Sequence, residues 1–316
     1  MIDISIVIVS WNARKHLLDC LQSIRDTTGA LNVETIVVDN HSSDGSPDAV
    51  EDRFPETILV RNQANAGFAK ANNIGLAKSA GRYVALVNSD VLILEHCLQN
   101  LTTFMDTHPS VGMAGPRILN ADRTLQPSGR RFPSLLAAFA RAFFLDRLLP
   151  QRVFHLRSRM SPAELGRLRS VNVLVGCFWM VRREALEQVG GLDEDFFIYG
   201  EDNDWCRRFH GAGWQVMYYP GAEAIHFGGA SSSNAPARFF IEMKKSELLY
   251  WDKNYGRLAR HLACGISLAH ISVRLVIWKI QYYLRPARRE KCVPMIERYS
   301  KCLRWLLGRK SDHSTS

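Results

Sequence analysis

The first ninety residues alternate between short apolar runs and amphipathic stretches. Ile4–Val9 is a continuous β-branched run, too short for a helix and suited to a strand buried on both faces. A helical spacing of Leu17, Leu18, Leu21 and Ile24 follows, to about Thr27. The pattern repeats with a strand over Val33–Val38, a short helix near Pro47–Arg53 and a strand over Thr57–Val60. A helix then opens at Asn65-Ala66-Gly67-Phe68 and stops at Gly81, and a strand covers Tyr83–Asn88. Strands and helices alternating at this spacing predict βαβ units and a mostly parallel central sheet flanked by helices, an α/β fold.

Beyond this half, the pattern predicts a helix over Glu95–His108, a strand over Val111–Ala114, and an irregular basic stretch containing Arg130 and Arg131. An amphipathic helix from Leu135 to Leu149 should close at Pro150, and a strand should cover Val171–Val181. A helix beginning near Glu201 carries Trp205, Cys206 and Phe209 on its apolar face. Asp202, three, four and seven residues earlier, shares that face. A last strand is predicted at Gln215–Tyr219, and the tail from Leu248 to Leu307 is helical by pattern.

Polar residues become informative where the apolar runs end. Open α/β sheets present ligands outside the carboxyl ends of their parallel strands. Two predicted strands end there in acids, one in Asp39 and one in Asn88-Ser89-Asp90. A carboxylate on the buried side of a helix, as at Asp202, needs a partner or a task. Asp204 has a structural use, a pair with Arg208 four residues on, and Glu201 suits a helix N-terminus. His226, between an apolar pair and a glycine-rich turn, gains weight only if it reaches the same cleft. No GxGxxG follows the first strand and no P-loop is present, which removes the dinucleotide-binding reading.

Composition adds less. The net charge of +9 is concentrated in two places, Arg130 to Arg169 and the stretch from Arg285, where nine Lys and Arg face three acids. That charge prompts a nucleic-acid or anionic-surface binding reading. It lies outside the α/β motifs, however, and lacks the aromatic–basic interleaving of RNA-binding proteins, so no nucleic-acid partner is expected. A sugar nucleotidyltransferase would need a glycine-rich segment after the first strand, where Trp11-Asn12-Ala13-Arg14-Lys15 stands instead. Seven scattered cysteines without a CxxC pair indicate neither zinc nor a disulfide framework. With strand-like sequence beginning almost at once and no leader-like segment, a reducing cytosolic location is the expectation. Gly265 to Leu284 is apolar enough to suggest a membrane span, but Ser267, His270, Arg274 and Gln281 form a polar stripe along it. That stripe favours a helix lying on a membrane or packed on protein, with the basic cluster after Leu284 suited to anionic headgroups.

Taken together, five motifs resemble the family 2 inverting glycosyltransferases of GT-A fold, and most closely their rhamnosyltransferase-like subgroup. They are Val9-Ser10-Trp11-Asn12; Val37-Val38-Asp39-Asn40 through Asp44-Gly45; Asn65-Ala66-Gly67-Phe68 through Asn73; Leu86-Val87-Asn88-Ser89-Asp90; and Tyr199-Gly200-Glu201-Asp202, followed by His226-Phe227-Gly228. The resemblance covers about residues 1–235. It implies a GT-A nucleotide-diphospho-sugar transferase domain there, with 1–116 the nucleotide-sugar half, 117–235 the acceptor and catalytic half, and 236–316 a helical, basic extension. It implies donor contacts from Ser10, Trp11, Asn12, Asp39, Asn65, Gly67, Asn73, Asn88, Ser89 and Asp90. Asp90 and His226 would hold Mg²⁺ or Mn²⁺, with Asn88 replacing the first Asp of the family's DxD. Asp202 would be the catalytic base, with Arg130, Arg131, Trp179 and Glu201 on the acceptor side. The expected reaction is transfer of L-rhamnose from dTDP-L-rhamnose to a polyprenyl-linked or polysaccharide acceptor, by an enzyme held peripherally at the cytoplasmic face of a membrane. UDP-linked hexoses or galactofuranose are the alternative donors.

Overall fold

The computed structural model describes residues 1–148, 160, 164–228 and 236–308. The chain divides into two compact units, Met1–Phe132 with Arg159–Ser231, and Pro133–Ser158 with Ser232–Ser316.

In the first unit, β1 (Ile4–Ser10), α1 (Arg14–Thr27), β2 (Val33–Asp39), α2 (Ser46–Arg53), β3 (Ile58–Arg61), α3 (Phe68–Leu76) and β4 (Tyr83–Asn88) follow the predicted alternation. Then come β5 (Val91–Ile93), α4 (Cys97–Thr107), β6 (Val111–Leu119), β7 (Leu125–Gln126) and β8 (Gly129–Arg130). The main sheet runs β3-β2-β1-β4 in parallel. It continues through an antiparallel strand, Phe178–Arg182, to β6 and Gln215–His226, which are parallel to each other.

Alternation along the strands builds two cores. Ile4, Ile6 and Ile8 face α1, α2 and α4 on one side of the sheet. Val7, Ile36, Val38 and Leu86 pack with Ala69, Trp205 and Phe209 on the other. Strands buried on both faces explain why β1 and β4 read as unbroken apolar runs.

β6 runs to Leu119 instead of stopping at Ala114, the long tail helix begins at Pro236 instead of Leu248, and three further elements differ more from the pattern. The strand predicted over Val171–Val181 is two strands broken by Val175-Gly176-Cys177. One arm, Val173–Leu174, pairs with β8, and the other, Phe178–Arg182, lies between β4 and β6. The strand predicted to stop at Tyr219 continues to His226. A register shift between Tyr219 and Glu223 absorbs Pro220, and Arg117 Nη1 donates to Glu223 Oε1 at 2.8 Å beside it. Its far end pairs with β5, too short to be distinct in the sequence. Third, the helix expected over Leu135–Leu149 is regular only over Leu135–Ala142. It is capped by Ser134 and interrupted at Phe144, whose φ is +61°; Leu149 and Pro150 lie outside the described residues.

The second unit is helical. A long helix, Pro236–Leu284, is broken at Gly256 (φ +81°) and packs on Leu135–Ala142 and on a final helix, Arg289–Leu306. Its polar stripe is the packed side: Ser267 and Ile271 are buried, and Arg274 donates to the Arg141 carbonyl at 3.0 Å and covers the Phe144 ring. Burial, helped by the charges of Lys244 and Arg274, pushes His270 down to about 4. At about 100° per residue, Leu258, Leu262, Val276, Ile280 and Tyr283 share the opposite face, and all are exposed, Leu258 at 76% and Tyr283 at 72%. The exposed face is thus apolar, while the packed face mixes Ser267, His270 and Arg274 with the buried Ile271 and Leu275.

Gly67 joins two loops of the first unit. Its φ is +85°, and a Cβ there would stand 2.5 Å from the Phe197 carbonyl oxygen, to which Phe68 N donates. Gly67→Ala is expected to cost about 2–3 kcal/mol in denaturant unfolding, because both the conformation and the close approach are lost. An unchanged midpoint would mean the two loops separate freely.

Candidate active site

Backbone register assembles the first part of the site. Ser10 is level with Asp39 across β1 and β2, and Val9 with Asn88 across β1 and β4, so three strand ends open on one edge. The loops beyond them are tied together. Asn12 N donates to Ser42 Oγ at 2.9 Å, Asn12 Oδ1 accepts from Ser43 N at 2.8 Å, and Arg14 N donates to Asp44 Oδ2 at 2.8 Å. Asn12 (φ +49°), His41 (φ +68°) and Tyr199 (φ +67°) adopt left-handed backbone here, conformations that non-glycine residues hold mainly where the surroundings impose them.

Asp39 is 3% exposed. Its Oδ2 accepts from Ser42 N at 3.0 Å, while Oδ1 has no partner, and neither does the buried Ser10 Oγ beside it. Buried oxygens without partners at the strand ends fit a ligand position, because each costs free energy until something bonds to it. Asn40, the next residue, is fully used. It donates to Asn65 Oδ1 (2.9 Å) and the Gly67 carbonyl (3.1 Å), and accepts from Asn62 Nδ2 (3.1 Å) and Ala66 N (2.9 Å). Its role as the clamp holding Asn65 and Gly67 was not visible in the sequence, where it reads as one more turn residue. Asn73 is likewise committed: its amide donates to the Leu192 carbonyl (2.8 Å) and to Glu194 (3.0 Å), and its oxygen accepts from Leu192 N.

The second part is Asp90. It follows β4 directly, is buried, and has His226 Nε2 at 3.3 Å from its Oδ1. The extended last strand makes this approach: His226 pairs with Val91 in β5, and Phe227 N donates to the Asp90 carbonyl at 3.0 Å. Among the described residues, no group of three or more His, Cys, Asp or Glu could hold a metal. Asp90 and His226 together supply one carboxylate oxygen and one imidazole nitrogen. This set fits a divalent cation that completes its shell with phosphate oxygens and water, as cations bound with nucleotides do.

The third part is carried by Glu201–Gly211, which starts after two left-handed residues, Tyr199 and Gly200. Asp202 is 7% exposed, and its carboxylate receives a charge-assisted bond from Arg130 Nη2 as well as bonds from Asn203 N and Nδ2, each 2.8 Å. Arg130 reaches it from β8, whose pairing with Val173–Leu174 brings the basic stretch to the helix start. Asp204 pairs with Arg208 at 2.8 Å, as its spacing predicted. Arg131 is exposed. Trp179 is wholly buried, donates to the Leu174 carbonyl at 3.1 Å and meets Trp205 edge-on, so its indole supports the helix from within the core.

Glu201 differs from its neighbour. It is buried with Oε2 unpartnered, and burial, with the charge of Asp202 adding, pushes its carboxyl up to about 8. The folded state therefore holds a proton that the unfolded chain releases above its ordinary value of 4.5. This contribution to stability is complete below that value and is lost as pH rises through about 8. Glu201→Gln should remove that dependence: relative to the variant, the wild-type melting midpoint should fall as pH rises from about 5 to about 9. Parallel curves would mean Glu201 is ionised in the fold.

The chain as a whole has counterparts among known proteins. A family model described as glycosyl transferase family 2 matches residues 5–190, and one described as the N-terminal domain of galactosyltransferase matches 160–228. An N-acetylglucosaminyl-diphospho-decaprenol L-rhamnosyltransferase of Mycobacterium tuberculosis is 32% identical over 259 residues, 78% of this chain and 82% of that one. The dTDP-rhamnosyl transferase RfbF of Shigella flexneri is 25% identical over 286 residues, 86% and 88% of the two chains. Among solved structures, the mannosyltransferase PcManGT of Pyrobaculum calidifontis, in complex with GDP-Man and Mn²⁺, superposes with a TM-score of 0.54 at 15% identity, over 96% of this chain and 87% of that one. S. aureus TarS 1-349 gives 0.52 at 14%, over 99% and 93%. These likenesses bear out the GT-A fold, and with a match spanning the nucleotide half and the central strands, the chain belongs to glycosyl transferase family 2.

Proposed function

We propose that the protein transfers L-rhamnose from dTDP-L-rhamnose, with inversion, to a polyprenyl-diphosphate-linked or polysaccharide acceptor of the cell surface. The donor sugar rests on relatives named as rhamnosyltransferases that match most of the chain. The reaction rests on one observation, two acids at neighbouring strand ends, Asp39 level with Ser10 and Asp90 against His226, in a chain that also buries Asp202 at a helix start under Arg130.

In this reading Asp39 Oδ1 and Ser10 Oγ take hydrogen bonds from the base or ribose, which would satisfy both unpartnered atoms. Asn65, Gly67 and the Ser10–Asn12 turn shape that pocket, with Asn40 and Asn73 holding its walls. Asp90 and His226 would hold a divalent cation, which would supply positive charge to the diphosphate of the departing nucleotide. An imidazole ligand inclines the pair toward Mn²⁺, since Mg²⁺ favours oxygen donors and retains its water. Asp202 accepts the proton of the acceptor hydroxyl as that oxygen attacks the anomeric carbon from the face opposite the diphosphate. Before the acceptor arrives, Arg130 holds the carboxylate in place through the bond it makes. The expected outcome for Asp202→Asn is a turnover loss of about 10²–10⁴-fold with dTDP-sugar affinity retained. Near-normal turnover in that variant would remove Asp202 from the mechanism.

The acceptor class agrees with the second unit. A helix long and apolar enough to cross a membrane, with its polar stripe packed inward and its apolar residues exposed, supports peripheral attachment at the cytoplasmic surface. Exposed Arg288, Arg289 and Lys291 follow it, suited to anionic headgroups. Replacing Val276, Ile280 and Tyr283 together by Ser should sharply reduce co-sedimentation with vesicles containing anionic lipid. Undiminished binding would show that another surface makes the attachment.

A further inference from the structure

His226 is held from behind by a chain of side chains that none of the motifs contains. Its Nδ1 lies 2.7 Å from Gln126 Oε1. Gln126 Nε2 donates to Asn120 Oδ1 at 2.8 Å, and Asn120 Nδ2 donates to Thr124 Oγ1 at 2.9 Å. The Thr124 hydroxyl in turn donates to Asp122 Oδ1 at 2.5 Å. Gln126 lies on β7, and Asn120, Asp122 and Thr124 come from the tight turn between β6 and β7, closed by Asn120 N to the Thr124 carbonyl at 2.8 Å.

The direction of this chain is decided at its end. An ionised carboxylate only accepts hydrogen bonds, and the bonds from Thr124 hold the Asp122 carboxyl below its ordinary value. The Thr124 proton therefore points to Asp122, leaving its oxygen as acceptor for the Asn120 amide nitrogen. That orients Asn120 with its oxygen toward Gln126, and Gln126 with its nitrogen toward Asn120. A second anchor agrees: Gln126 Nε2 also lies 3.3 Å from the His226 carbonyl oxygen, which can only accept. Gln126 must then present its oxygen to the ring. From this we propose that Gln126, oriented by the Asn120–Thr124–Asp122 relay, holds His226 as the Nδ1–H tautomer and so turns a bare Nε2 lone pair toward Asp90. Gln126 is a positioning residue that makes His226 a ligand for a cation.

A lone pair 3.3 Å from a carboxylate oxygen is an unfavourable meeting of two acceptors until a cation stands between them. Metal-bound histidines generally donate their other ring N–H to an oxygen partner, which fixes the ring and raises the basicity of the ligating nitrogen. The proposal rests on the cation-site reading for its consequence, though the tautomer can be observed without any metal.

Two measurements separate the two. In metal-free protein, two-bond ¹H–¹⁵N spectra of labelled imidazoles, assigned with His226→Ala, should show His226 with a protonated Nδ1 and a pyridine-like Nε2. In Gln126→Leu that preference should be lost, and in Gln126→Glu, which keeps an acceptor, it should return. A wild-type Nε2–H tautomer, or a spectrum unchanged in Gln126→Leu, overturns the proposal and needs no change in stability to do so. With dTDP present, Mn²⁺ titration followed by electron paramagnetic resonance should show affinity weakened about 10-fold or more in Gln126→Leu and restored in Gln126→Glu. If Mn²⁺ affinity is unchanged in His226→Ala while the tautomer is as stated, the cation-site reading fails and the relay stands.

Discussion

The register of β1 between β2 and β4 is the constraint on which the molecule depends. Because side chains in a strand alternate with a period of two, a slip of one residue would send Ile4, Ile6 and Ile8 to the wrong core. The same slip would separate Ser10 from Asp39 and move Asn88 off their line. The apolar residues that fix the register for stability thus also fix the positions of the polar groups at the strand ends. The loops above are then locked by Asn12 and Asn40, whose bonds reach across from one strand end to the next.

The half of the site built this way could be read in the sequence, since an apolar run of fixed length ending in an acid states both the strand and the place of the acid. Asp202 could be read for a similar reason, because its spacing to Trp205, Cys206 and Phe209 puts it on the packed face of its helix. His226 was legible as a residue but not in its setting. Its strand continues past Pro220 only because a register shift takes up the proline, and no local pattern announces such a shift. Trp179 shows the converse: an indole lining a cleft and one supporting it from the core have the same one-dimensional surroundings.

Gln126 gave no signal at all. Its partner His226 is 100 residues away, and its own neighbourhood reads as a basic, irregular loop. The exposed apolar face of the tail helix was half visible. The polar stripe of Ser267, His270 and Arg274 could be seen, but the sequence does not say that this stripe faces protein and the apolar side faces out. Packing against Leu135–Ala142 decides it, and that contact joins segments more than a hundred residues apart.

The bond between Arg130 and Asp202 bears on how the donor survives before an acceptor arrives. If Asp202 is the base, a carboxylate already engaged by a guanidinium and by the Asn203 amide has its lone pairs largely occupied. A stray water entering the cleft must compete with a cation for that oxygen, and it brings little binding free energy of its own. An acceptor that spans the cleft gains contacts along its length and can draw on them to displace the guanidinium. With Asp202 in that role, the resting ion pair would act as a kinetic filter, favouring transfer over wasteful hydrolysis of an activated sugar.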